Sequence, residues 1–243
     1  MIVLLTDFGE SEYVGVMKGV ILSIDGDARI VDLTHSISPQ SVREAAWILL
    51  KSYKYFPRQS IFVCVVDPGV GTSRDAILVD TAEYVFIGPD NGLFSPTIRE
   101  ESVRQVYSIR LGSAVSKTFH GRDVFAVAAG QYHSGIAAKD IGSPKDALDI
   151  PLSFHLKGRT GEVVRIDRFG NIVTNIPPKD SESLRVTCSS NKLRLPVVKT
   201  YAEGPATGLF LVVGSYGTLE IASQNKRAID NLSVAIGETI SIE

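Results

Sequence analysis

The segment from Val63 to Asp75, VCVVDPGVGTSRD, places a carboxylate, Asp67, and a guanidinium, Arg74, on either side of a turn that contains Gly69 and Gly71. A carboxylate accepts hydrogen bonds and an arginine is a fixed cation, so such a pair can hold one small polar species between them. A glycine-rich turn after an apolar strand also raises the possibility of a phosphate loop. The residues argue against it. GVG is followed by Thr72-Ser73-Arg74 rather than by a lysine opening a helix, and neither GxxxxGK[ST] nor GxGxxG occurs. A nucleoside-like ligand without phosphates needs other contacts, and Asp7 or Asp32 can accept both hydroxyls of a ribose diol.

Five further strings carry reactive types or the turns that could position them. TDFGE carries Asp7, and VDLTHS carries Asp32 and His35. TFHGRDVF sets His120 beside Gly121 at a helix entrance, where an imidazole can act in proton transfer. RIDRFGNIVTN, from Arg165 to Asn175, reads as a strand–turn–strand in which Gly170 permits positive φ. VVGSYGTLEIA, from Val212 to Ala222, reads as two strands about a Gly-Ser-Tyr-Gly turn.

These residues need elements that bring them together. Apolar runs at 2–5, 29–33 and 61–66 predict buried strands, each ending near one of the aspartates. Val14, Met17, Ile21 and Ile24 have helical spacing over 13–24. A second helix is expected to start at Ser38-Pro39 and run to about Tyr53, and a third spans 123–133. Residues 76–80 and 84–88 predict a hairpin, and 103–109 a further strand. This alternation predicts an α/β domain with a mostly parallel central sheet, whose strand ends form the ligand rim. Beyond Pro144 and Pro151 only short strands recur, at 161–166, 171–175, 184–187, 209–213, 218–221 and 239–242. They predict an all-β, antiparallel barrel-like domain. The expected division is 1–150 and 151–243.

The bulk numbers are those of a globular chain: 243 residues, 44% hydrophobic and 21% charged. A net charge of −2 without a Lys/Arg block gives no surface for nucleic acid. MIVLL lacks a basic flank and no apolar run reaches the ~18 residues of a membrane span. Cys64 and Cys188 read as separate buried thiols. A cytoplasmic protein, with neither membrane nor nucleic-acid partner, is the expectation.

TDFG, DLTHSISP, VVDPGVGTSR, GPDNGL, TFHGRDVFAVAA and DRFGNIVTNI, in this order over almost the whole chain, resemble the S-adenosylmethionine hydroxide adenosyltransferases, relatives of the fluorinase and chlorinase. The resemblance implies an α/β domain followed by a β-barrel. It also implies a homotrimer with sites between subunits, and hydrolysis of S-adenosyl-L-methionine to adenosine and L-methionine. No metal and no cofactor is implied. Its catalytic set falls on Asp67, Arg74 and His120. It further implies that Asp7 holds the ribose, Asp167 the methionine ammonium, Asn171 and Tyr201 the adenine, and Ser215 with Tyr216 the carboxylate, while Phe119 walls the pocket. The halogenases carry tyrosine at the positions of Asp67 and His120 and serine at Gly121, and the fluorinase carries threonine at Val70. The hydroxyls that cradle a halide are thus absent here, and proton acceptors stand in their place, as water requires. Which of Asp67 and His120 takes the proton is open. Two other readings use the same residues: a non-catalytic S-adenosylmethionine or adenosine binder, and a metal-dependent nucleoside hydrolase built on Asp7, Asp32, Asp67 and His35.

Overall fold

Side chains alternate across a strand, so a run that is apolar at every position must be covered on both faces. The first half of the chain obeys this in a computed structural model that describes residues 1–188 and 191–243. Strands β1 (Ile2–Thr6) and β3 (Ile61–Val65) are buried throughout. Ile2, Leu4, Val63 and Val65 point into one apolar cluster with Val14, Met17 and Ile21 of helix α1 (Tyr13–Ile24). Val3, Leu5, Phe62 and Cys64 point into another with Ala45, Ile48 and Leu49 of helix α2 (Val42–Ser52). The sheet is therefore the middle of three layers.

Its remaining strands are β2 (Ile30–Thr34), β4 (Ala76–Thr81), β5 (Val85–Pro89), β6 (Val103–Ile109) and β7 (Gly142–Lys145), in the order β2-β1-β3-β5-β4-β6-β7. β2, β1, β3 and β5 are parallel, which sends the ends of the first three to one edge. The far side is antiparallel, built from the expected β4–β5 hairpin and from β6 and β7. Short helices α3 (Ser95–Ile98), α4 (Val127–His133) and α5 (Ala138–Ile141) complete the unit, which spans Met1–Leu152.

Two helix starts differ from expectation. α2 begins at Val42, not at Ser38-Pro39, because Gln40 has φ 64° and the 38–41 segment closes as a turn, Ser41 N–H to Ser38 C=O at 2.9 Å. α4 is preceded by a wide π-helical turn over Gly121–Ala126, so the helical path starts before Asp123. Such turns recur at functional sites.

The second unit, Ser153–Glu243, is a closed barrel. Its strands are β8 (Thr160–Ile166), β9 (Ile172–Thr174), β10 (Ser183–Cys188), β11 (Asn191–Val198), β12 (Leu209–Val213), β13 (Leu219–Ser223) and β14 (Thr239–Ile242), in the order β10-β11-β12-β13-β9-β8-β14. Closure removes the exposed strand edges that an open sheet would leave. β11 is absent from the expected strands, and it pairs in parallel with β12, the one exception to antiparallel pairing among these strands. Val163, Ile172, Leu219 and Ile221 fill the barrel. Cys64 and Cys188 are both buried and free. Among the described residues no helix is long and apolar enough to cross a membrane.

Candidate functional site

The parallel strands deliver the N-terminal candidates to one edge. β1 ends in Thr6-Asp7, and Thr6 Oγ1 lies 2.9 Å from His35 Nδ1, at the end of β2. Asp32 reaches His35 but not the cleft that Asp7 lines. Its carboxylate is held by Lys18 Nζ at 2.6 Å and lies 3.0 Å from His35 Nε2. Asp7 accepts the backbone N–H of Gln40 at 2.8 Å on Oδ2. Gln40 holds a left-handed conformation, which a non-glycine residue adopts at a cost. Its amide is thereby aimed at Asp7, leaving Oδ1 for a ligand.

Asp67, Arg74 and His120 meet. Arg74 Nε donates to Asp67 Oδ1 at 2.9 Å and Nη2 donates to Oδ2, a bidentate pair. Nη2 also lies 2.8 Å from His120 Nδ1, and Nη1 donates to the Asp75 carbonyl at 3.2 Å. A guanidinium nitrogen only donates, so Nδ1 must be the acceptor and the neutral ring carries its proton on Nε2. Burial first, and then the Arg74 charge, hold the His120 pKa below the ordinary histidine value, against opposing pulls from Asp67 and Asp123. The turn that sets this geometry needs Gly71. Its φ is 77°, and a Cβ there would stand 2.3 Å from the Lys117 carbonyl oxygen.

Asp67 and His120 line a cleft of about 670 Å³ together with Asp7, Val70, Phe119 and Gly121. Arg74 does not line it. The side chain is 8% exposed and lies behind the other two, its guanidinium 5.4 Å from the Phe125 ring centroid. Phe119, Phe8 and Tyr13 make an edge-to-face aromatic wall, with centroids 5.0–6.1 Å apart.

A second cleft, of about 800 Å³, lies on the barrel unit and is lined by Asp167, Asn171, Tyr201, Ser215 and Glu220, among others. Asp167 caps the β8–β9 turn: Oδ1 accepts the Phe169 and Asn171 amides at 2.9 and 2.8 Å, and Oδ2 accepts Asn171 Nδ2 at 3.0 Å. Tyr216 does not line the cleft; its hydroxyl accepts from Arg165 Nη1 at 3.2 Å.

Glu220 was absent from the candidates found by sequence. It is 4% exposed, accepts the Tyr201 hydroxyl at 2.8 Å, and has its pKa raised by burial first. In LEIA it reads as the solvent-facing residue of an alternating strand. The available signal was Gly214, where any Cβ would lie 1.7 Å from Glu220 Oε1. Among the described residues no group of three or more His, Cys, Asp or Glu is placed to hold a metal ion. The quartet Asp7, Asp32, Asp67 and His35 is therefore not a metal cluster.

A carboxylate, an imidazole and a guanidinium in contact on an α/β unit, with a closed barrel that carries its own polar cleft, define a two-unit protein with one polar cleft on each unit. Residues 2–142 match the SAM hydroxide adenosyltransferase N-terminal domain and residues 161–241 the SAM hydroxide adenosyltransferase C-terminal domain; the chain belongs to that family. It is 33% identical to a protein of Thermus thermophilus named (R)-S-adenosyl-L-methionine hydrolase, over 98% of this chain and 97% of the relative. A protein of the same name from Methanocaldococcus jannaschii is 33% identical over 100% and 95%. The crystal structure of an uncharacterized conserved protein from Thermotoga maritima superposes with a TM-score of 0.91 at 34% identity, over 100% of both chains.

Proposed function

We propose that the protein is an enzyme that hydrolyses S-adenosyl-L-methionine to adenosine and L-methionine, and that the epimer it takes has R configuration at the sulfonium. The name carried by its relatives supports the substrate and the configuration. The observation that carries the reading is the contact of Asp67, Arg74 and His120 at the edge of one cleft.

In this reading water attacks ribose C5′ in line with the departing sulfur. The C5′–O bond forms as the C5′–S bond breaks, its electron pair goes to sulfur, and methionine leaves as a neutral thioether that needs no acid. All the demand falls on the nucleophile, since bulk water has a pKa of about 15.7. Asp67 retains lone pairs beyond those taken by Arg74, accepts a hydrogen bond from the water and takes its proton as the C5′–O bond forms. His120 presents Nε2–H as a donor to the water oxygen. Arg74 is a positioning residue that holds both at once. Orientation of the water supplies much of the rate. Asp7 takes the ribose hydroxyls, and Asp167, Asn171, Tyr201 and Ser215 take the methionine and adenine ends. Tyr216 acts through Arg165 rather than on the carboxylate directly. S-adenosylmethionine is a substrate here, and no step calls on a cofactor or metal.

A homotrimer belongs to the proposal. It rests on the resemblance and on the division of the candidates into two groups, one on each unit. Light scattering tests it: a monomer at working concentration removes it.

The main test offers each sulfonium epimer separately and follows adenosine by chromatography. Turnover of the R form in 18O-water places the label on the adenosine 5′-oxygen. Intact ligand after prolonged incubation leaves a binding protein and sinks the enzymatic reading. Unchanged activity with a chelator removes the metal-hydrolase reading.

A further inference from the structure

On β13, Leu219 and Ile221 face the barrel core, so Glu220 and Ala222 face outward. Outward here is not solvent. The turn Tyr201–Glu203 covers this face, and Tyr201 Oη donates to Glu220 Oε2 at 2.8 Å. The other oxygen, Oε1, rests against Gly214, at the start of the turn that carries Ser215 into the cleft. The groups acting on Glu220 are Tyr201, Asp167 and Arg165; Lys226 and Arg227 are exposed members of the cleft lining. Asp167 and Glu220 are thus two carboxylates that line one cleft. Like charges so placed repel, and a cation between them relieves the repulsion. Asp167 already takes three hydrogen bonds from its own turn, which leaves it one free acceptor direction on Oδ2. An ammonium brings three hydrogens and needs more acceptors than Asp167 alone can offer.

We propose that Glu220 is the second carboxylate of an ammonium subsite shared with Asp167, and that it makes the cleft select ligands with a cationic amino-acid end over neutral ones. The inference rests on the functional reading above and names a residue that reading does not use.

Calorimetry on the full-length protein tests it with L-methionine and adenosine as separate probes. Glu220→Gln is expected to weaken methionine by roughly ten- to a hundredfold and to leave adenosine within about twofold. Glu220→Asp restores part of the loss. The wild-type protein provides a measurement independent of any variant. Burial raises the Glu220 pKa, so acidification discharges it sooner than an ordinary glutamate. Methionine affinity should therefore fall as the pH is lowered towards the carboxylate range, while adenosine stays flat. Unchanged methionine affinity in Glu220→Gln, or equal weakening of both probes, overturns the inference and leaves the functional reading standing. A wild-type protein that binds neither probe overturns both.

Discussion

His120 Nδ1 lies 2.8 Å from Arg74 Nη2, and that contact fixes the tautomer of the histidine that lines the N-terminal cleft. A proton added to His120 would go to Nδ1 and face a donor. Burial and the Arg74 charge both resist it. The acid limb of kcat/KM is therefore expected below about pH 6.5, the ordinary histidine value. The stability term has the same sign. The folded pKa is lowered, so this contribution is fully present above the unfolded value near 6.5 and is lost as the pH falls from there through the folded value. Arg74→Met should move the His120 imidazole titration upward, as read from its NMR resonance. A titration that stays put would detach His120 from Arg74.

Arg74→Lys tests the geometry rather than the charge. A lysine keeps the cation but cannot grip both Asp67 oxygens and reach His120 Nδ1 at once. The expected loss in kcat is roughly 10²-fold, with KM changed little, because Arg74 acts through the two groups and does not line the cleft. A variant with normal kcat would reduce Arg74 to a bystander.

Lys145 holds a second polar cluster together. Nζ lies 2.6 Å from Asp75, 3.1 Å from Asp90 and 2.6 Å from Asp149. Burial acts to lower its pKa, but the three carboxylates prevail and hold it above the usual lysine range. The Asp90 side chain is 1% exposed, with Oδ1 unpartnered. Lys145→Met leaves that buried carboxylate without its cation and is expected to cost about 3 kcal/mol in urea unfolding. Adding Asp90→Asn should recover much of it. Because Asp75 also receives Arg74 on its carbonyl, kcat should fall in Lys145→Met as well.

Much of this was legible in the sequence, for reasons that also mark where legibility stopped. Two-sided burial of β1 and β3 shows in their unbroken apolar runs, and the order of strands and helices gives the sheet and its rim. Asp67, Arg74 and His120 could be singled out as types, but a sequence cannot say which flank of a turn faces the cleft, so Arg74 read as a direct contact. β11 alternates Leu193 and Leu195 with Lys192 and Arg194, and Pro196 masked it by weakening the strand signal. Glu220 is buried by a segment nineteen positions earlier in the chain, a tertiary event that strand periodicity does not record.

Gly71 is where the site geometry and the backbone meet most sharply. Its φ of 77° lies in the left-handed region, and a Cβ would stand 2.3 Å from the carbonyl oxygen of Lys117. That oxygen belongs to backbone and cannot swing aside as a side-chain tip can. Gly71→Ala therefore has to open the turn or push back the segment that leads to His120. Either movement separates Arg74 from one of its two side-chain partners, Asp67 and His120. The expected destabilisation is at least about 2 kcal/mol, with a kcat loss larger than unfolding explains at a temperature where the variant is folded. Gly69 gives the control. Its nearest would-be contact is 3.4 Å away, and no positive φ is required of it. Gly69→Ala should keep near-normal stability and rate. Equal effects at both positions would mean that the turn tolerates neither substitution for a reason other than the approach to Lys117.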